Sequence, residues 1–367
     1  MESELSQQLG RLNTDRARLF VPDEQSASTT PCSTSFTGSI PSTSLTAASS
    51  TPSSDDESTT PCCEIQSTPD RGQALFSARR IRPGTLIFAE EPLIALSKEL
   101  EESYEAIEAA FSALSKREKK AYGALFDAKK SRMSTTVSIY YSNCYSTESF
   151  VGAQVSDNTL EGGSCIGKLS SRINHSCVPN VCFSFLPPSL AHRRGQMRFY
   201  AIKAISKGKE LLSNYDKSIF ETSRRRQQKY LLHYGFRCTC EACLPQTDFW
   251  TRSDERRRAM RDAVSSVKGL EKKWQKAFEE DDATIQVEVC RGAVVELLEL
   301  QGLLVKEGLT AVPLANAYRS LVKWSERGGL DVHQWREKEL EVSILMSGKK
   351  SLRSVALKQV LDDNISG

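Results

Sequence analysis

The chain has 367 residues, 39% of them hydrophobic and 26% charged, which is enough for one large domain plus a smaller one around a real core. A formal net charge of +3 is too mild to argue for a nucleic-acid partner by itself. The start, MESELSQQLG, has no basic and apolar leader pattern, and no apolar run nears the roughly 18 residues of a bilayer span, so a soluble nuclear and/or cytoplasmic protein is expected.

Residues 1–68 are rich in Ser, Thr and Pro and bury too little apolar surface to offset ordering entropy, so they read as a disordered tail. Their Ser/Thr–Pro positions are compatible with phosphorylation. From about residue 69, the short apolar runs ALFSA, TLIFAE and PLIAL alternate with Gly72, Pro83, Gly84 and Pro92, as short β-strands do. Three- and four-residue apolar spacing then predicts a helical insert over about 98–136. VSIYYSNCY reads as strand or short helix. NVCFSFL and MRFYAIKAI read as strands joined by the polar loop PPSLAHRRGQ.

Beyond residue 246 the character changes to helical periodicity, with four predicted helices in antiparallel pairs, similar to tetratricopeptide architecture but without a clean repeat. Trp274, Trp324 and Trp335 are expected to anchor helix packing. The basic runs SRRRQQ and DERRRAMR read as solvated helix faces. With no aromatic interleaving, direct nucleic-acid binding ranks last among the readings.

Eleven cysteines are unevenly spaced, and Cys238, Cys240 and Cys243 of CTCEAC fall within six residues. In a reducing compartment this cluster fits metal thiolates better than a disulfide framework, buried free thiols being the alternative. A tetrahedral Zn²⁺ needs a fourth ligand, for which Cys177 is the candidate, with Cys182 or His233 as substitutes. Cys177 belongs to RINHSCVPN, where His175 and Cys177 would share a face of an extended chain. No Gly-rich elbow or oxyanion motif accompanies them, so a hydrolase is not supported. Pro179 is expected to fix the exit from this stretch. In GKELLSNYD, Tyr215 follows a short predicted strand.

Taken in order, RGQAL, SNCYS, RINHSCVPN, AIKAISKGKELLSNYD and YLLHYGFRCTCEAC resemble the SET-domain protein-lysine methyltransferases, in particular the SET-and-MYND branch and its fungal relatives. The resemblance spans about residues 70–245. It implies an α+β SET fold of small sheets around a knot-like crossing, over residues 69–217. A post-SET zinc segment over 218–245 and an all-α domain over 246–367 would follow. It also implies that S-adenosylmethionine is held by Gly72, Gln73, Asn143, Asn174, His175, Tyr215 and Phe236. Tyr215 becomes the catalytic residue, and Cys177, Cys238, Cys240 and Cys243 the ligands of a structural Zn²⁺.

The chemistry is coherent with those residue types. In-line transfer from a sulfonium methyl to a lysine amine needs a narrow dry channel, a deprotonated amine and alignment, which a phenol and backbone carbonyls supply. Tyr234 would either wall that channel or simply pack. The implied partner is a protein substrate presented to a monomer. Two departures stand out: the first cofactor loop reads Gly72-Gln73-Ala74 where the family has Gly-x-Gly, and residues 98–130 hold no Cys or His for a MYND finger. The first motivates the rival reading of a SET-fold binding protein without catalysis.

Overall fold

The computed structural model describes residues 61–147, 162–216, 219–245 and 247–365. Its first elements, β1 (Cys63–Thr68) and β2 (Gly72–Ser77), form an antiparallel hairpin in which Thr68 faces Gly72. Gly72 has φ 67°, a left-handed conformation that a Cβ would strain. The Thr68 hydroxyl ties the turn, donating to the Gly72 carbonyl at 2.9 Å and accepting from the Arg71 N–H at 3.1 Å. The hairpin corrects the expected tail boundary at residue 68, because regular structure begins by Cys63. CEIQST has little local strand signal, and its extended form comes from pairing with β2. The rest of the expected tail, residues 1–60, lies outside the described residues. Ala74 is fully buried in β2 opposite Gln66 and is not in the left-handed region, so its backbone does not require glycine.

The remaining strands make three small sheets, as short runs separated by turn residues should. β3 (Leu86–Glu90), β8 (Val181–Leu186) and β9 (Gln196–Ala201) pair antiparallel in the order β3-β9-β8. β4 (Ile94–Leu96), β5 (Tyr145–Ser146) and β6 (Ser164–Ile166) pair in the order β4-β6-β5. The third is the one that matters for function: β7 (Asn174–His175) lies parallel to β10 (Leu212–Ser213), with His175 in register with Ser213. Leu75, Ile81, Phe199 and Leu211 pack between these sheets as a fully buried core.

Between β4 and β5 stand α1 (Tyr104–Ser112), α2 (Lys116–Gly123) and α3 (Thr135–Asn143). Ser103, Ser115 and Ser134 cap their N-termini by accepting backbone N–H groups, and Ser115 with Glu118 completes a capping box. The insert therefore runs past its expected end at 136. VSIYYSN is helical because Ser134 starts a turn whose residues from Val137 to Asn143 are buried all round. Such a segment shows no amphipathic period to read from sequence.

The C-terminal region is helical. After α4 (Ser223–Tyr234) come α5 (Asp248–Glu279), α6 (Ala283–Glu307), α7 (Val312–Arg327), α8 (His333–Ser347) and α9 (Leu352–Ile365). The last of these was not among the four expected. Each helix from α5 onward packs on the next, and α8 also lies against β8 and β9. Trp324 is buried at the centre of this bundle, while Trp274 stacks on Phe278 and Trp335 on Tyr318. Ile202 and Ile219, from the β-rich part, belong to the same apolar cluster as Leu297, Leu304 and Leu321. No helix among the described residues is long and apolar enough to cross a membrane.

Candidate functional site

The parallel pairing of β7 with β10 brings together two stretches almost forty residues apart in sequence. The Tyr215 backbone N–H donates to Nδ1 of His175 at 3.1 Å. An accepting Nδ1 leaves the ring proton on Nε2, and Nε2 lies 3.4 Å from Sγ of Cys177. The Tyr215 hydroxyl donates to the Ile173 carbonyl at 2.7 Å. One imidazole thus stands between the Tyr215 backbone and a sulfur.

An aromatic wall surrounds that imidazole. Ring centroids of Tyr230, Tyr215 and Phe236 lie 4.2, 5.2 and 5.9 Å from His175. Tyr230 and Phe236 are parallel to within 3°, and Tyr234 stands 5.3 Å from Tyr215. Burial first, then the neighbouring Cys177, raises the Tyr230 phenol well above its ordinary range, so that it stays neutral. The wall exists because α4 stops at Gly235, whose φ of 73° ends the helix in a left-handed cap and turns Phe236 back onto the preceding turn.

Asn174 is oriented by a short polar chain. Its Nδ2 donates to Oε1 of Glu210 at 2.7 Å, and Oε2 of the same carboxylate accepts from Arg71 at 2.8 Å. The turn bearing Gly72 and Gln73 is thereby tied to the Asn174–His175 pair. Asn143 is placed differently. It ends α3, buried, with its Nδ2 donating to the carbonyls of Ile139 and Phe126 at 2.7 Å each. Among the described contacts none joins it to Asn174, His175 or Tyr215. The insert does reach the wall, through Lys130, which donates to the His233 carbonyl at 2.7 Å and lies over the Tyr234 ring. The buried Ser213 hydroxyl, beside His175 on β10, has no partner among the described residues.

The sulfurs of Cys177, Cys238, Cys240 and Cys243 all lie within 4.8 Å of one another and could hold a metal ion. Tetrahedral thiolates about 2.3 Å from a zinc ion would stand roughly 3.8 Å apart, so the spacing fits. Of the expected substitutes, Cys182 sits on β8 with its thiol pushed up to about 12 by burial, and neither it nor His233 joins the cluster. The knuckle is clamped to α4 by Gln227, which donates to the Cys238 carbonyl at 2.6 Å and accepts from its N–H at 2.9 Å.

Arg226 completes the cluster. It is 1% exposed, and its Nε donates to Cys177 Sγ at 3.2 Å and its Nη2 to Cys243 Sγ at 3.4 Å. Burial disfavours its charge, but the Cys177 and Cys243 sulfurs outweigh that and hold the guanidinium above its usual range. Hydrogen bonding, first from Cys238 and then from Cys240 and Cys243, in turn keeps Cys177 well below an ordinary thiol. This residue belongs to the run SRRRQQ, which had read as a solvated face. The signal that could have found it is spacing: Arg226 and Tyr230 are four apart on one helix and face the same sulfur.

Residues 72–216 match the SET domain family. The chain is 33% identical over 175 residues to the histone-lysine N-methyltransferase set5 of Schizosaccharomyces pombe, covering 48% of each chain. It is 34% identical over 119 residues to the putative SET domain-containing protein L678 of Acanthamoeba polyphaga mimivirus, covering 32% of this chain and 44% of the relative. The solved Neurospora SET domain protein DIM-5, a histone lysine methyltransferase, is 21% identical with a TM-score of 0.24, covering 42% of this chain and 51% of that one. No fold argument rests on so low a score. The chain spans about half the length of the first of these relatives and less of the second. Residues 72–216 thus carry a match to the SET domain family, and over 175 residues the chain is similar to a fungal set5 histone-lysine N-methyltransferase.

Proposed function

We propose that this chain is a protein-lysine N-methyltransferase that uses S-adenosylmethionine and is stabilised by a structural Zn²⁺ in a post-SET knuckle. The observation that carries the reading is the joining of His175, Tyr215 and Cys177 in one seam within a SET-domain match. The cofactor supplies an electrophilic methyl on a sulfonium. Gly72, Gln73, Asn174 and His175 would hold its polar parts and Phe236 its adenine. Asn143, whose Nδ2 is held by the Ile139 and Phe126 carbonyls, would serve through its other polar atoms. These residues suit such a ligand, since they offer a parallel aromatic pair, a polar edge and the Ser213 hydroxyl, which has no partner among the described residues.

Tyr215 orients the incoming amine through its hydroxyl, which the Ile173 carbonyl already aligns. The surrounding rings exclude water, so that a neutral amine is not resolvated, and the amine's proton leaves to solvent before transfer. Four thiolates around Zn²⁺ carry a net charge of about −2, and Arg226 offsets part of it. The substrate is a lysine-bearing protein segment, and nuclear or cytoplasmic residence accords with that. The rival reading, a binding protein without catalysis, draws on the Cβ of Ala74 where the family has glycine.

Incubation of the full chain with labelled S-adenosylmethionine and a broad protein panel including histones is expected to place label on lysine. A zinc-loaded, folded sample with no calorimetric binding of the cofactor would instead favour the rival. Arg226→Met is expected to speed zinc transfer to a competing chelator by about tenfold or more, the usual scale for groups that orient metal ligands. An unchanged transfer rate would remove Arg226 from that role.

A further inference from the structure

Two buried arginines meet Cys177, Arg226 at its sulfur and a second at its carbonyl. The other, Arg257, lies on α5 and is fully buried, as is Glu307, the last residue of α6. Nε of Arg257 donates to Oε1 of Glu307 at 2.8 Å. Its Nη2 donates to the Cys177 carbonyl at 3.0 Å, and its Nη1 to the Ile219 carbonyl. Glu307 is satisfied in turn by Ser253 at 2.6 Å on Oε1 and by Arg256 at 2.6 Å on Oε2.

Those two carbonyls are not arbitrary acceptors. Cys177 lies two residues past the end of β7 and Ile219 six past the end of β10, so one guanidinium fork bridges the chain leaving both strands of the seam. Next to it on α5, Asp254 accepts from the Ser223 N–H at 2.7 Å and from its hydroxyl at 3.0 Å, fixing the start of α4. A buried ion pair is a poor source of stability, because desolving both charges cancels most of their attraction. What this pair supplies is geometry. A planar fork with several fixed donors can hold two backbone segments at one spacing, which an apolar pair cannot do.

We propose that Arg257 and Glu307 are positioning residues through which the helical region sets the placement of Asn174, His175 and Cys177 against Tyr215. The inference rests on the methyltransferase reading for its effect on turnover, but not for its effect on the cysteine cluster. Tyr215 and His175 meet through a backbone hydrogen bond and a ring contact, so a small relative slide of the two exits misaligns the amine and the cofactor together. Displacements near 1 Å from groups remote from the chemistry cost up to about a hundredfold in rate.

The test compares the full-length double variant Arg257→Met/Glu307→Leu with Arg257→Lys and with a distant control, Glu339→Gln, which disturbs the Arg319 and Arg353 pairs of the outer helices. The double variant removes the charges of Arg257 and Glu307 but leaves Arg256 without its carboxylate, so its melting temperature is expected to fall by several degrees while the protein stays folded. Its kcat is expected to fall about tenfold to a hundredfold, with KM for the protein substrate little changed and the cofactor bound more weakly. Zinc transfer to a chelator is expected to quicken about tenfold, and Arg257→Lys to fall between.

A folded double variant with normal kcat, cofactor affinity and zinc transfer overturns the proposal. If the double variant does not fold, Arg257→Lys with unaltered kcat and zinc transfer overturns it equally. Should the unmodified protein prove inactive, the methyltransferase reading falls. The zinc-transfer comparison still decides this one, because it reads the Cys177 position without any turnover.

Discussion

Cys177→Ala is expected to abolish metal binding at the proposed zinc site, lower the melting temperature by on the order of 10 °C, and weaken binding of the proposed cofactor in the same protein. Three sulfurs remain, but the lost one is the hub: it contacts His175 Nε2, the Tyr230 hydroxyl, Arg226 Nε and Cys243 Sγ at 3.2–3.6 Å. Without it, Arg226 is left as a buried cation short of an acceptor, a defect that costs about 3–5 kcal/mol where one partner of a buried pair is removed. His175 loses the neighbour of its Nε2, so the ring proposed to contact the cofactor is held at one end alone, by the Tyr215 N–H on Nδ1. Zinc content, thermal melting and calorimetric titration with S-adenosylmethionine measure the three effects. Unaltered zinc content together with unaltered cofactor affinity would refute the linkage between knuckle and pocket.

Tyr215→Phe should behave in the opposite way, removing turnover and little else. The substitution leaves the backbone N–H that caps His175 and the ring that faces Tyr234 and Phe236. It deletes only the hydroxyl on the Ile173 carbonyl. Loss of one oxygen that accepts from the amine N–H and aligns it is expected to cost about a hundredfold in kcat. Cofactor affinity and melting temperature are expected to stay close to those of the unmodified protein. Single-turnover transfer of a labelled methyl is the measurement, and transfer at the original rate would remove Tyr215 from the proposed role.

Much of this site was legible because its chemistry is written in residue types that do little else. Three cysteines within six residues ask for a fourth sulfur, and the Asn–His–x–Cys stretch supplies it in Cys177. The strands were legible where turn residues bracketed them, as in β3 and β9. What escaped notice depended on tertiary neighbours. β1 has no strand pattern of its own and exists through β2. The segment that became α3 is buried on all sides, so no period marked it. Arg226 and Arg257 sat in basic runs of the kind usually found in water, and composition cannot separate the one inward arginine from its exposed neighbours. For Arg226 the four-residue spacing to Tyr230 is the one local hint, and for Arg257 the placement of Cys177 is needed.

The hold of Arg257 on the two strand exits has a bearing on how this chain can be divided. Ile202 and Ile219 lie in one apolar cluster with α6 and α7, and Arg257 and Glu307 close over the same ground. The sequence changes character near residue 246, yet no physical seam follows that change. A fragment cut there would carry every proposed cofactor and zinc residue while baring the floor beneath them. Unfolding therefore has no natural stopping point between the β-rich half and the helices as far as Glu307, and the smallest self-sufficient piece reaches past that residue.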